Sequence, residues 1–121
     1  MADHNKLGKK GEEIARNYLV QNGYRLRDTN WRYRKNEIDI IAEKNNFLVV
    51  VEVKTRTSDY FENPKEAVTR KKQKFIIQAA EAYIMEKDVD LETRFDIIAV
   101  TIINHKTEIE HIEDAFQPSL L

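Results

Sequence analysis

Cysteine is absent from this chain of 121 residues. That excludes disulfides and thiolate metal sites. Glycine is scarce: there are three, all before residue 24, so no Gly-rich phosphate loop is present. No apolar run approaches the ~20 residues that a membrane-spanning helix needs. The opening stretch MADHNKLGKKG has no apolar centre of the kind a signal peptide carries. The expectation is a cytoplasmic protein without a membrane partner. An excess of positive charge is also lacking, since the net charge is −1, which argues against indiscriminate binding to nucleic acid. Only three histidines occur, His4, His105 and His111, each near a terminus with no second ligand at useful spacing; surface positions are expected for them. No serine sits in a nucleophile elbow.

What is present describes one globular domain spanning residues 1–121, with 41% hydrophobic and 34% charged residues. Charge is unevenly placed along it. Residues 1–35 hold nine Lys/Arg against four Asp/Glu, and residues 86–121 hold three against nine. A basic front and an acidic tail suit one face turned toward an anionic partner; plain solvated surface accounts for the same asymmetry.

Apolar residues Leu7, Ile14, Ala15, Tyr18 and Leu19 recur at helical spacing, which predicts a first helix over 7–21 stopped by Asn22-Gly23. Residues 24–34 read as a strand bent near Asp28-Thr29, with Trp31 and Tyr33 on one face and Arg32 and Arg34 on the other. Two further strands follow, 37–43 and 47–55, joined at Asn45-Asn46, where Asn tolerates the left-handed backbone of a two-residue turn. A loop over 57–63 leads to a helix start at Asn63-Pro64. The helical pattern runs to about Lys87, with a break near Thr69. A strand over 93–103 parallel to the third, a turn, an edge strand over 108–112 and a tail over 115–121 of uncertain order complete the chain. The fold class is α/β (α+β): an αβββαβ core with a mixed sheet flanked by helices.

The chemistry concentrates in Asn36–Arg56, NEIDIIAEKNNFLVVVEVKTR. With a two-residue loop, Lys44 faces Phe47, Asp39 faces Glu52 and Glu37 faces Lys54, with opposed Cβ atoms ~5 Å apart. Two carboxylates so close repel by roughly 3 kcal/mol at an effective dielectric of ~20. A divalent cation such as Mg²⁺, which prefers oxygen ligands, relieves that repulsion. An Asp/Glu/Lys salt-bridge cluster at a sheet edge is the other reading of the same spacing. Elsewhere, Arg70, Lys71, Lys72 and Lys74 crowd the start of the long helix, where phosphate binding and a solvated face are equally good readings. Arg32 and Arg34, interleaved with aromatics, offer phosphate contacts beside stacking rings; a half-buried strand with its aromatics packed under the first helix is the favoured reading of the same residues. Carboxylates and a lysine near basic segments suit metal-assisted phosphodiester hydrolysis.

Asp39, followed after twelve residues by Glu52-Val53-Lys54, is similar to the D…ExK core of PD-(D/E)xK, restriction-endonuclease-like nucleases. Over most of the chain, GKKGEEIARNYLVQNGY, Asn30-Trp31-Arg32, EIDIIA, VVVEVKTR and RFDIIAV resemble the YraN family of small bacterial proteins, related in fold to archaeal Holliday-junction resolvases. Asn36 stands where that family usually has Gly. The resemblance implies a restriction-endonuclease-like domain that uses Mg²⁺ or Mn²⁺ to cut DNA, branched or single-stranded. It assigns Asp39, Glu52 and the Val53 carbonyl to the metal and Lys54 to catalysis. Glu12 corresponds to the helical acid of resolvase-type sites, Glu37 to an auxiliary acid or a partner of Lys54, and Arg56 to a phosphate contact. A resolvase-like role carries the expectation of a two-fold homodimer. The alternative is a nucleic-acid-binding or complex-assembling protein that keeps the fold without turnover.

Overall fold

The run Leu48–Val51 is apolar at every position and buried on both sides, so the strand that contains it must lie inside a sheet covered on both faces. In the computed structural model, which describes residues 2–57 and 63–118, it does. Helix α1 (Ala2–Gln21) precedes strands β1 (Arg25–Tyr33), β2 (Asn36–Lys44) and β3 (Phe47–Arg56). A short helix α2 (Pro64–Ala67) and a long helix α3 (Arg70–Lys87) lead to β4 (Glu92–Ile103) and β5 (Lys106–Phe116). The five strands are ordered β1-β2-β3-β4-β5. All neighbours are antiparallel except β3 and β4, which are parallel across the helical crossover. The α+β class and the mixed sheet are as the sequence predicts.

Each helix covers one face. Ala15 and Leu19 of α1 pack with Ile40, Ala42, Val49, Val51, Ile98 and Val100. Ile76, Ala79, Ala80 and Tyr83 of α3 pack with Ile41, Leu48, Val50, Phe95 and Ile97. Odd and even positions of β3 thus go to opposite cores, as a period of two requires.

The predicted turns are where they were expected. Asn45 and Asn46 have φ of 51° and 66°, and Gly23 ends α1 at φ 86°. Asn63 caps α2 by accepting from the Lys65 N–H at 3.0 Å. Thr69 caps α3 by accepting from the Lys72 N–H at 3.2 Å, so the break in the helical pattern is real. The tail expected from residue 115 starts later: Ala115 and Phe116 are buried in β5, where Phe116 stacks on Phe95 at 5.2 Å. Most of the loop over 57–63 lies outside the described residues. No helix among the described residues is long and apolar enough to cross a membrane.

Candidate metal and phosphate site

The site lies where β2 and β3 part. Their ladder runs from Lys44↔Phe47 to Ile40↔Val51, the register that a two-residue loop dictates. One step on, Asp39 comes against Glu52, and here the backbone ladder gives way to a side chain. The Val53 N–H donates to Asp39 Oδ2 at 2.8 Å. An extended residue turns its N–H and C=O to the same neighbour, so the Val53 carbonyl leaves β3 on the Asp39 side as well.

A kink in β2 aims Asp39 there. Ile38 and Ile40 are two apart and would share a face in a regular strand. Instead Ile38 joins the core under α3 and Ile40 the core under α1. On β1 the switch falls at Asn30, between the pairs Thr29↔Ile40 and Trp31↔Ile38. Asn30 has φ of 49°, a conformation that Asn accepts more readily than most residues. Its amide donates to Glu12 Oε1 of α1 at 2.7 Å. In the sequence Asn30 enters only through the resemblance, within Asn30-Trp31-Arg32 and with no role of its own; the pairing of the strands is what reveals its part here.

The two carboxylates are adjacent; Glu52 is buried and Asp39 half-buried. Glu52 is 6% exposed. Asp39 is pushed up from an ordinary value near 3.8 to about 8. Burial is the first cause; the charge of Glu52 and a hydrogen bond shared with it follow. The Val53 N–H and the charge of Lys72 pull the other way. Lys72, in the first turn of α3, brings its Nζ to 3.8 Å from Glu52 Oε2. Glu12 is raised too, by burial, against the hydrogen bond from Asn30 and with the charge of Asp39 adding to it.

Lys54 follows Glu52 by two and shares its face. With Thr55, Arg56, Pro64 and Ala67 it lines a pocket of about 220 Å³ between β3 and α2. Glu37 pairs across the sheet with Arg32 rather than with Lys54, at 3.1 Å. Arg34 lies over the Tyr33 ring, its Cζ 5.1 Å from the centroid. Arg70, Lys71 and Lys74 are exposed at the start of α3. Asp39, Glu52, the Val53 backbone and Lys72 are therefore together, with Lys54 flanking them and Glu12 approaching from the α1 side. Among the described residues no three Asp, Glu or His side chains converge as a metal cluster. A cation here would take two carboxylates and a backbone carbonyl, a hard-oxygen set suited to a hydrated Mg²⁺ or Mn²⁺.

His111 departs from the surface position expected of it. Its Nε2 lies 2.7 Å from Asp96 Oδ2 and its Nδ1 3.0 Å from the Tyr18 hydroxyl. Asp96 is wholly buried. Burial alone would raise its carboxyl, but hydrogen bonds from His111, Arg94 and the Asp114 N–H outweigh it and hold Asp96 below the usual range. This network ties α1, β4 and β5 together on the α1 side, away from Glu52.

The family model described as "Uncharacterised protein family UPF0102" matches residues 11–100. The chain belongs to the UPF0102 family. A UPF0102 protein of Phocaeicola vulgatus is 51% identical over 99% of both chains. Another, of Flavobacterium psychrophilum, is 49% identical over 96% of this chain and 98% of its own. One of Chlorobium phaeobacteroides is 47% identical over 96% and 97%. The UPF0102 match spans the carboxylate pair, Lys54 and Lys72, and UPF0102 is the YraN family to which the sequence pointed.

Proposed function

We propose that this UPF0102 protein is a divalent-metal-dependent endonuclease that hydrolyses phosphodiester bonds in DNA. The observation that carries the reading is the adjacent Asp39–Glu52 pair, with Glu52 buried and Asp39 half-buried. Two adjacent carboxylates out of water are costly unless protonated or matched by a cation, and Lys72 at 3.8 Å matches only part of that charge. Mg²⁺ or Mn²⁺ held there would polarise a phosphate oxygen and make bound water acidic. Asp39 and Glu52, with the Val53 carbonyl, would hold the ion. Lys54 presents an ammonium on the same face as Glu52, where it stabilises charge developing on the phosphate. Lys72 holds Glu52 in place and adds positive charge at the entrance. Glu12, raised and hydrogen-bonded to Asn30, stands ready to accept a proton on the α1 side.

The test is cleavage of branched, single-stranded and duplex DNA with Mn²⁺. Lys54→Ala should lower the rate by about 10²–10³-fold, the scale of one lost electrostatic donor, without changing the melting temperature by more than a degree or so. Equal cleavage by the wild type and Lys54→Ala would remove the activity from this site. A second reading keeps nucleic-acid binding and drops turnover. The ion pair between Lys72 and Glu52 favours it, because it gives one acid a standing partner. Tight DNA binding with no cleavage in Mn²⁺ would select it.

A further inference from the structure

A separate cleft of about 400 Å³ opens between the β1–β2 connection and the first three turns of α3. That volume is in the range of about 300–1,000 Å³ of pockets that take small molecules. Its walls are mostly apolar, and Tyr33 and Phe75 supply two rings. Phe75 is 37% exposed. The Tyr33 ring is backed by Trp31, parallel to it at 6.4 Å, and Trp31 meets Tyr83 edge-on at 5.1 Å. Arg34 lies over the Tyr33 ring, so the exposed Phe75 ring is the stacking surface. Arg34, Lys35 and Lys71 line the same cleft, and among the described residues none that lines it is acidic.

We propose that this cleft takes one unpaired nucleobase of a DNA strand, while Arg34, Lys35 and Lys71 hold the phosphates on either side of it. The inference rests on the nuclease reading and adds a substrate class to it: strands with a base out of the stack next to the phosphate that is cut. The two features share one helix end. Lys71 points into the cleft, and its neighbour Lys72 reaches Glu52. Lys71, Phe75 and Gln78 recur at i, i+4 and i+7, so one stripe of α3 forms a wall. An aromatic, apolar wall rimmed by cations accepts any base through its π-face and tracks the backbone by charge. The Gln78 amide can donate to or accept from a base edge. A base inside a duplex must first be unstacked, which costs a few kcal/mol and least where it is already unpaired. Single strands and branch points are therefore preferred over duplex, without sequence preference.

The experiment is binding in EDTA, with no metal and no cleavage. A short fluorescent single-stranded DNA is compared with the same strand carrying an abasic site and with the duplex. Wild-type protein should bind the intact strand about ten-fold or more tightly than the abasic strand, the scale of one base–aromatic stack. Phe75→Ala should bind both equally. Lys71→Ala should weaken both and lower the salt slope by about 0.7, one phosphate contact on a single strand. No binding to single strands, or equal binding of intact and abasic strands by the wild type, overturns the cleft assignment. If Phe75→Ala does not fold, the wild-type comparison alone decides. Base-dependent binding without cleavage in Mn²⁺ sinks only the nuclease reading; cleavage with base-independent binding sinks only the cleft.

Discussion

At the residue scale, Asp39 is the most perturbed member of the site. It holds a proton in the folded protein up to about pH 8, whereas an ordinary carboxylate releases one near 3.8. Between those values the folded state binds more protons than the unfolded state, so stability falls as pH rises. Below about pH 4 both states are protonated and the effect disappears; above about pH 8 the loss is complete. Asp39→Asn removes the charge and keeps an oxygen for the Val53 N–H. In EDTA the variant should melt at least about 4 °C above the wild type at pH 8.5, the shift given by roughly 1 kcal/mol in a domain of this size. At pH 4.5, less than one pH unit above the ordinary value, only a small part of the loss has accrued and the gap should be several-fold smaller. A gap that is the same at both pH values would show that Asp39 is not titrating in this window.

At the element scale, α1 lies against β3 at one close approach. A Cβ added at Gly11 would overlap the Thr55 side chain. Thr55 is on the α1 face of β3, three residues beyond Glu52, so the contact sets how far α1 and its Glu12 stand from the carboxylates. Gly11→Ala forces the helix outward. It should cost about 1–3 kcal/mol in urea unfolding, the range for overpacking, although Ala by itself favours a helix more than Gly does. A more stable Gly11→Ala variant would mean that α1 does not touch β3 here. The elements themselves were easy to read. Caps at Asn63 and Thr69, the Asn45-Asn46 turn and the apolar run of β3 each act through neighbours in sequence. The kink at Asn30 and Asp39 was not legible, since it shows only when two strands are paired and their faces compared.

At the scale of the whole molecule, a cation that binds the folded state alone raises its stability by mass action. At Mn²⁺ about a hundred times above its dissociation constant the gain is about 2.7 kcal/mol, or roughly 10 °C in a domain of this size. The double variant Asp39→Asn, Glu52→Gln should show no such shift in a thermal melt. Equal shifts in the two proteins would place the metal elsewhere. In space, the basic start of α3 reaches the carboxylates through Lys72, and the acidic residues of β5 lie on the edge strand of the sheet.

The sequence alone determined the helices and strands, the class of the sheet and the register of β2 on β3, because period, caps and a two-residue turn are local. From that register the meeting of Asp39 and Glu52 followed by counting. Only the tertiary structure decided that Lys72, from the far side of a crossover, pairs with Glu52, that Glu37 turns to Arg32, and that His111 is enclosed with Asp96. Those contacts join residues distant in the chain, and which of several nearby charges meets which acid depends on how the helices settle on the sheet.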